Sequence, residues 1–441
     1  MKIAFLPIDN RPVCCNLAID IVSVDKDIQL IIPERNLLGG LSKTADINKL
    51  TEWLKNLPEC DAVILSLDTL VYGGLIPSRR SHETLEELKH RLKNIKNILK
   101  KHKKIYAFSS IMRISNNNYN EEEKEYWAEY GKKIFEFSYK LHKDGFCDSD
   151  IPQEILEDYL KTRERNFEVN KIYLEWQKEG LFDTLIFSKD DCAEYGLNVR
   201  EAQELETLGG FTKTGADEIP LSLLSRAIKK DIKVFVEYTE PDCKNLISNY
   251  EDVSIEKSVN GQLELGGFTR VNSADEADII LVVNNFREKQ GELVMGWDTK
   301  PFDKIFNPSD KPYAIADVRF ANGADNSFVE KLLPKINSDF YGYAGWNTSA
   351  NTLGSLLAGV KVKFNAKKYD ENAFKKLQMI RFLDDWAYQA NVRGQINKPC
   401  DISKLMKPYE ERLSKILEYN PTHNIIYSYP WDRKFEVEVS I

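Results

Sequence analysis

CDAVILSLDTLVYGGLIPSRR, residues 60–80, decides the fold. Ala62 to Leu67 run without the polar alternation of a half-exposed strand and stop at Asp68. A short continuous apolar run of this kind is a strand covered on both faces, as in a parallel sheet flanked by helices. Tyr72, Gly73 and Gly74 follow, the glycines permitting positive φ or close backbone approach, and then Ser78, Arg79 and Arg80. The string is either a tight loop whose Asp68 and arginines pair, or a loop that binds a ligand.

The same pattern recurs outward from it, at Ile3 to Pro7, Leu30 to Pro33, Ile105 to Ser109, Leu185 to Ser188, Val234 to Tyr238, Ile279 to Val283, Ala314 to Val318 and Tyr341 to Gly345. Helix-length amphipathic stretches lie between, among them Ile47 to Leu57, Glu83 to Lys101, Leu221 to Lys230 and Thr352 to Gly359. Strand and helix in alternation mean right-handed βαβ units and a mostly parallel sheet. With Leu30 to Pro33 set aside as peripheral, eight strands remain, the number of a (β/α)8 barrel. The reading is therefore an α/β, barrel-like catalytic domain over 1–360, with a helical insertion at 120–180 and a C-terminal helical and β extension over 361–441. The alternative is a pair of three-layer α/β sandwiches, to about 230 and from about 231, with the ligand in a cleft.

Unusual polar clusters fall just after these strands, where barrels and open sheets both collect ligand groups. PIDNRPV sets Asp9, Asn10 and Arg11 between two prolines. SSIMRIS adds Arg113, either an anion clamp or half of a salt bridge. FSKDDCAEYG carries Asp190 and Asp191, and TGADEIPLSLLSR carries Asp217 and Glu218. Two carboxylates held together repel and one pKa rises, which makes an acid and its partner. The alternative is helix capping, to which Asp217 is suited. ADVRFANGAD brings Asp317, Asn322 and Asp325 around a glycine turn, and YAGWNTSANTLG brings Trp346, Asn347 and Asn351. An exposed Trp beside Asn and Asp suits a sugar ring; a Trp packed in the core is the alternative. In RFLDDWAYQ, Arg381 and Asp385 stand at i, i+4, as do Asp384 and Tyr388.

Composition narrows the chemistry. A net charge of −8 and no basic patch beyond the solvated helix face Lys89 to Lys104 argue against nucleic acid. No apolar run nears membrane-spanning length. Only five histidines, without HxH or HExxH spacing, leave little for a histidine zinc site or a Ser-His-Asp triad. Seven scattered cysteines without CxxC suit reduced thiols in a cytoplasm. No cofactor is called for. Carboxylates remain to do the work.

PIDNRPV, SLDTLVYGGLIPSR, SKDDCAEYG, GADEIPLSLLSR, NGAD and YAGWNTSANTLG, in this order, resemble a bacterial family known as domain of unknown function 4127, over nearly the whole chain. Locally, IFSKDD is similar to the catalytic pair of barrel enzymes that remove N-acetylglucosamine. That likeness implies Asp190 orienting the acetamido group and Asp191 as general acid. GADE is similar to the Gly-Gly-Asp-Glu strand end of β-hexosaminidases, with Asp217 and Glu218 in those roles, and departs from it at Ala216. The expected function is a carbohydrate-active hydrolase, a glycosidase. Asp190 and Asp191 are its first catalytic pair and Asp68, Asp217 and Glu218 the competitors. Asp9, Asn10, Arg11, Tyr72, Arg79, Arg113, Asp317, Asn322, Asp325, Trp346, Asn347 and Asn351 would bind a small or oligosaccharide substrate. Two alternatives stand beside it. One is a Mg²⁺- or Mn²⁺-dependent hydrolase or lyase on Asp9, Asp68, Asp190 and Asp317; the other is a protein that binds a small anion or a sugar without turnover.

Overall fold

A computed structural model describes residues 1–190, 192–308 and 310–441. The chain divides into two units. The first comprises Met1–Cys15, Gln29–Pro220 and Tyr250–Asp252, the second Asn16–Ile28, Leu221–Asn249 and Val253–Ile441.

In the first unit, β1 (Lys2–Leu6), β2 (Gln29–Ile31), β3 (Ala62–Ser66), β4 (Ile105–Ile111), β5 (Thr184–Lys189) and β6 (Thr212–Thr214) form one parallel sheet in the order β2-β1-β3-β4-β5-β6. Every residue of β3, β4 and β5 is buried, as their unbroken apolar runs require. Between β4 and β5 the chain makes helices Trp127–Asp144 and Gln153–Lys178. Met112, Ile114, Trp127, Ile134, Tyr159 and Leu197 pack into a core of their own beneath them.

The second unit holds β7 (Lys233–Tyr238), β8 (Thr269–Arg270), β9 (Ile279–Asn284), β10 (Gly291–Glu292), β11 (Tyr313–Asp317), β12 (Phe320–Ala321), β13 (Phe340–Ala344), β14 (Ile426–Ser428) and β15 (Glu438–Ser440). Its main sheet is parallel, ordered β13-β11-β9-β7-β8, over a core that includes Val234, Leu281, Ala316 and Leu357. β10 pairs with β12 in parallel, and β14 with β15 antiparallel. Residues 361–441 belong to this unit.

The fold is thus α/β with mostly parallel sheets. A ring of eight strands is not shown: the strands pair as a six-stranded and a five-stranded sheet. Apolar runs record only that both faces are covered, which a barrel wall and an open sheet share. Leu30 to Pro33, set aside from the sequence, supplies β2 as a full member beside β1. In each sheet the first strand of the unit lies between the second and the third, so the winding reverses beside it, at β1/β3 and at β7/β9. Ligands of open α/β sheets bind outside the strand carboxyl ends at such a reversal. No helix among the described residues is long and apolar enough to cross a membrane.

Candidate functional site at the carboxyl edge of the first sheet

The loop after β1 turns on its own side chains. Asp9 Oδ1 accepts from the Arg11 backbone N at 2.9 Å, and Arg11 Nε and Nη2 reach Asp9 Oδ2 at 2.9 and 2.7 Å. The same Nη2 donates to Asp217 Oδ1 at 2.6 Å. One guanidinium therefore ties the end of β1 to the turn after β6. Cys14 Sγ completes the group, 3.9 Å from Asp217 Oδ1; Asp9, Cys14 and Asp217 each place one possible ligand atom within 4.8 Å of the others. Across the β1/β3 reversal, Thr69 Oγ1 lies 3.0 and 2.9 Å from the carbonyls of Pro7 and Ile8. Asn10 is held through its backbone, by Gly39 and Arg35.

A second chain of charge runs along the other strand ends. Arg113, after β4, donates to Glu122 at 2.9 Å, Glu123 at 3.0 Å and Asp190, after β5, at 3.3 Å. Glu123 also takes Arg79 Nη1 at 2.6 Å. Asp68, sealed at the end of β3, accepts from Ser110 N at 2.8 Å and Ser109 Oγ at 3.3 Å. Tyr72 is buried with the Arg165 guanidinium 5.5 Å from its ring. Asp191 lies outside the described residues.

Burial sets the proton affinities here. Asp217 is pushed up to about 6 by desolvation; Arg11 opposes this, and the charges of Asp9 and Asp190 add to it. Asp68 is likewise pushed up to about 6 by burial, against its hydrogen bonds from Ser110 and Ser109. Burial, then Asp9, raises the Cys14 thiol well above its ordinary value, the opposite of an activated nucleophile.

The GADE turn depends on its glycine. Gly215 has φ +107°, and a Cβ there would sit inside the Glu218 carboxylate. Gly215→Ala is expected to cost about 1–3 kcal/mol in urea unfolding and to displace Asp217 from Arg11. An unchanged midpoint would show the turn to be permissive.

Asp317, Asn322, Asp325, Trp346, Asn347 and Asn351 lie in the second unit. Asp317 and Asp325 are spent on a sealed network. Asp317 accepts from Asn284 Nδ2 at 2.9 Å, Asp325 N at 2.8 Å and Tyr343 OH at 3.0 Å, while Asp325 caps the helix Asn326–Leu332 and pairs with Arg319 at 3.1 Å. Trp346 is only 3% exposed and packs against Phe435, so it has no open face for a sugar ring. Asn322, Asn347 and Asn351 form a hydrogen-bonded run.

Arg381 pairs with Asp385 at 2.8 Å, as its i, i+4 spacing suggests. Asp384 does not follow the α-helical register: residues 382–392 are a π-helix, and Gln389 at i+5 donates to it at 3.0 Å. Burial, with Asp385 beside it, pushes Asp384 up to about 8. A raised carboxyl contributes stability at low pH that is lost as pH rises through the folded value. Asp384→Asn is therefore expected to gain stability over wild type progressively from about pH 4 to about pH 8 and to level off above, in urea midpoints across that range. A pH-independent difference would refute the shift.

Of the carboxylates with metal-ligand potential in the sequence, only Asp9 stands in the cluster of three, joined there by Cys14 and Asp217. Glu122 and Glu123 escaped the sequence reading, although three consecutive acidic residues, 121–123, at the start of the insertion were available as partners for Arg79 and Arg113. So did Asp252, which takes Lys189 Nζ at 2.5 Å and Thr214 Oγ1 at 2.7 Å.

Residues 3–440 match the family described as Protein of unknown function (DUF4127). The chain belongs to that family. No curated protein and no solved structure matches the chain, and the likeness of IFSKDD and GADE to glycoside hydrolases is not evidenced by any match.

Proposed function

We propose that the first unit carries the active site of a carbohydrate-active hydrolase, a glycosidase, in which Asp217 gives a proton to the leaving oxygen and Asp9 is its carboxylate partner. One observation carries this: a single guanidinium nitrogen holds two carboxylates with an oxygen of each within 4.8 Å, and burial has lifted Asp217 to about 6. Glycosidic cleavage uses a carboxyl whose hold on its proton has been raised, set beside a second carboxylate. Asp190, on Arg113, adds negative charge that raises Asp217. Arg11 and Arg113 favour an acidic or heavily hydroxylated small substrate or oligosaccharide, while Arg79 is buried on Glu123. Seven cysteines, none of them in a disulfide, support a cytoplasmic setting.

A metal-dependent hydrolase is the second reading, favoured by the convergence of Asp9, Cys14 and Asp217. It ranks lower because Arg11 Nη2, 2.6 and 2.7 Å from the two carboxylates, already supplies the positive charge there.

The test is a screen of aryl glycosides, uronides and oligosaccharides, with and without chelator and with Mg²⁺ or Mn²⁺ added. Turnover that survives chelation supports the glycosidase. Turnover restored only by metal transfers the site to the second reading, and an inert protein removes both.

A further inference from the structure

After Pro220 the chain returns to the first unit for three residues, Tyr250–Asp252. Tyr250 is held at φ +68°, a conformation that costs a residue with a Cβ. Its carbonyl accepts from Cys192 N, in the loop after β5, at 3.3 Å. Two residues on, the Asp252 carboxylate takes a bond from each of two strand ends: from Lys189 Nζ at 2.5 Å through Oδ2, and from Thr214 Oγ1 at 2.7 Å through Oδ1. Lys189 and Thr214 are the last residues of β5 and β6 and stand opposite each other in the register. Gly215 N adds a bond to the Lys189 carbonyl at 2.8 Å.

Both strands run from this carboxylate straight into the acids of the site. Asp190 follows Lys189 directly, and Asp217 stands three residues beyond Thr214, in the turn that presents it to Arg11. β6 is the edge strand and only three residues long, short of the usual length of about five or six, so its ladder with β5 is a weak anchor for that turn. The Lys189 and Asp252 side chains are each 10% exposed, and with so little water around them their bond is electrostatically stronger than one at the surface.

We propose that Asp252 is a positioning residue: it clasps the ends of β5 and β6 and so sets the Asp217 turn, and with it the spacing of Asp217 from Asp9 and Asp190. Misplacing a reacting group by about 1 Å costs on the order of 10²-fold in rate, so a clasp remote from the substrate has a large effect on turnover. That effect rests on the glycosidase reading; the hold on the turn does not.

Cys14 reads the turn independently of turnover. Its Sγ is fully buried 3.9 Å from Asp217 Oδ1, so a loosened turn uncovers it. In the native full chain carrying Asp252→Ala, iodoacetamide labelling of Cys14, followed by peptide mass spectrometry, is expected to run about tenfold faster or more than in wild type. On the glycoside that the protein turns over, kcat is expected to fall about 10–100-fold, with KM changed far less. Asp252→Asn can still bridge, its Oδ1 accepting from Lys189 and its Nδ2 donating to Thr214, and is expected to recover most of both. A folded Asp252→Ala with wild-type labelling of Cys14, or with wild-type kcat, overturns the proposal. So does an Asp252→Asn that loses as much as Asp252→Ala, since charge and not position would then matter. Faster labelling in a protein whose wild type turns over no glycoside supports the clasp and counts against the glycosidase alone. Should Asp252→Ala fail to fold, Thr214→Val, which removes one link and keeps the ion pair, decides: labelling about threefold faster supports the clasp, and unchanged labelling overturns it.

Discussion

Asp217→Asn is expected to lower kcat on the glycoside that the protein turns over by about 10²–10⁴-fold, with little change in KM, because an amide keeps the shape and the acceptor oxygen but has no proton to give. The pH profile carries the sign. Asp217 works protonated, so activity is expected to fall as pH rises through about 6, and the residual activity of the variant is expected to lose that limb. The variant's stability moves opposite to its activity. With its folded pKa raised above 3.8, the wild-type carboxyl gives up stability between about pH 4 and 6, a loss the amide avoids. A variant at least as stable as wild type at pH 7 and inactive on that glycoside separates lost chemistry from a lost fold. Full activity in Asp217→Asn would end the assignment of the acid.

Arg319→Met is expected to destabilise the second unit by about 3–5 kcal/mol in urea unfolding, the largest single effect on stability. Its guanidinium is wholly buried, 3.1 Å from Asp325 Oδ2 and 3.6 Å from Glu240 Oε1, with both Nε and Nη2 3.2 Å from Asn284 Oδ1. Removing it leaves the buried Asp325 without its counter-charge beside Asp317, itself pushed up to about 7 by burial and by Asp325, while Glu240 keeps Arg287 at 2.8 Å. The double variant Arg319→Met, Asp325→Asn is expected to lose less than the sum of the single changes. A cost under about 1 kcal/mol would mean that water reaches the cluster.

The strands were legible because burial on both faces writes an unbroken apolar run, and the polar residues after them marked the strand ends. The partition into two sheets was not, because each run records coverage and not its neighbour. At the site, Asp9, Arg11 and Asp217 were readable one by one, but nothing in their spacing announced that one guanidinium holds both acids. Asp325 was read as a ligand group where its better use is a helix cap beside Arg319. Trp346 met the commoner fate of a tryptophan, the core. The Asp384 to Gln389 bond escaped because an i, i+4 rule cannot anticipate a π register.

The route of the chain has a consequence for anyone who would dissect it. The polypeptide passes between its two units five times. A piece ending at Pro220 would forfeit Asp252 and orphan the Lys189 ammonium and the Thr214 hydroxyl; one beginning at Leu221 would forfeit Asp25, which receives the backbone N–H groups of Lys367 and Lys368. Neither half is a heritable module that a single cut could release, so insertion, fusion or recombination at the midpoint should yield two incomplete bodies in place of two working ones.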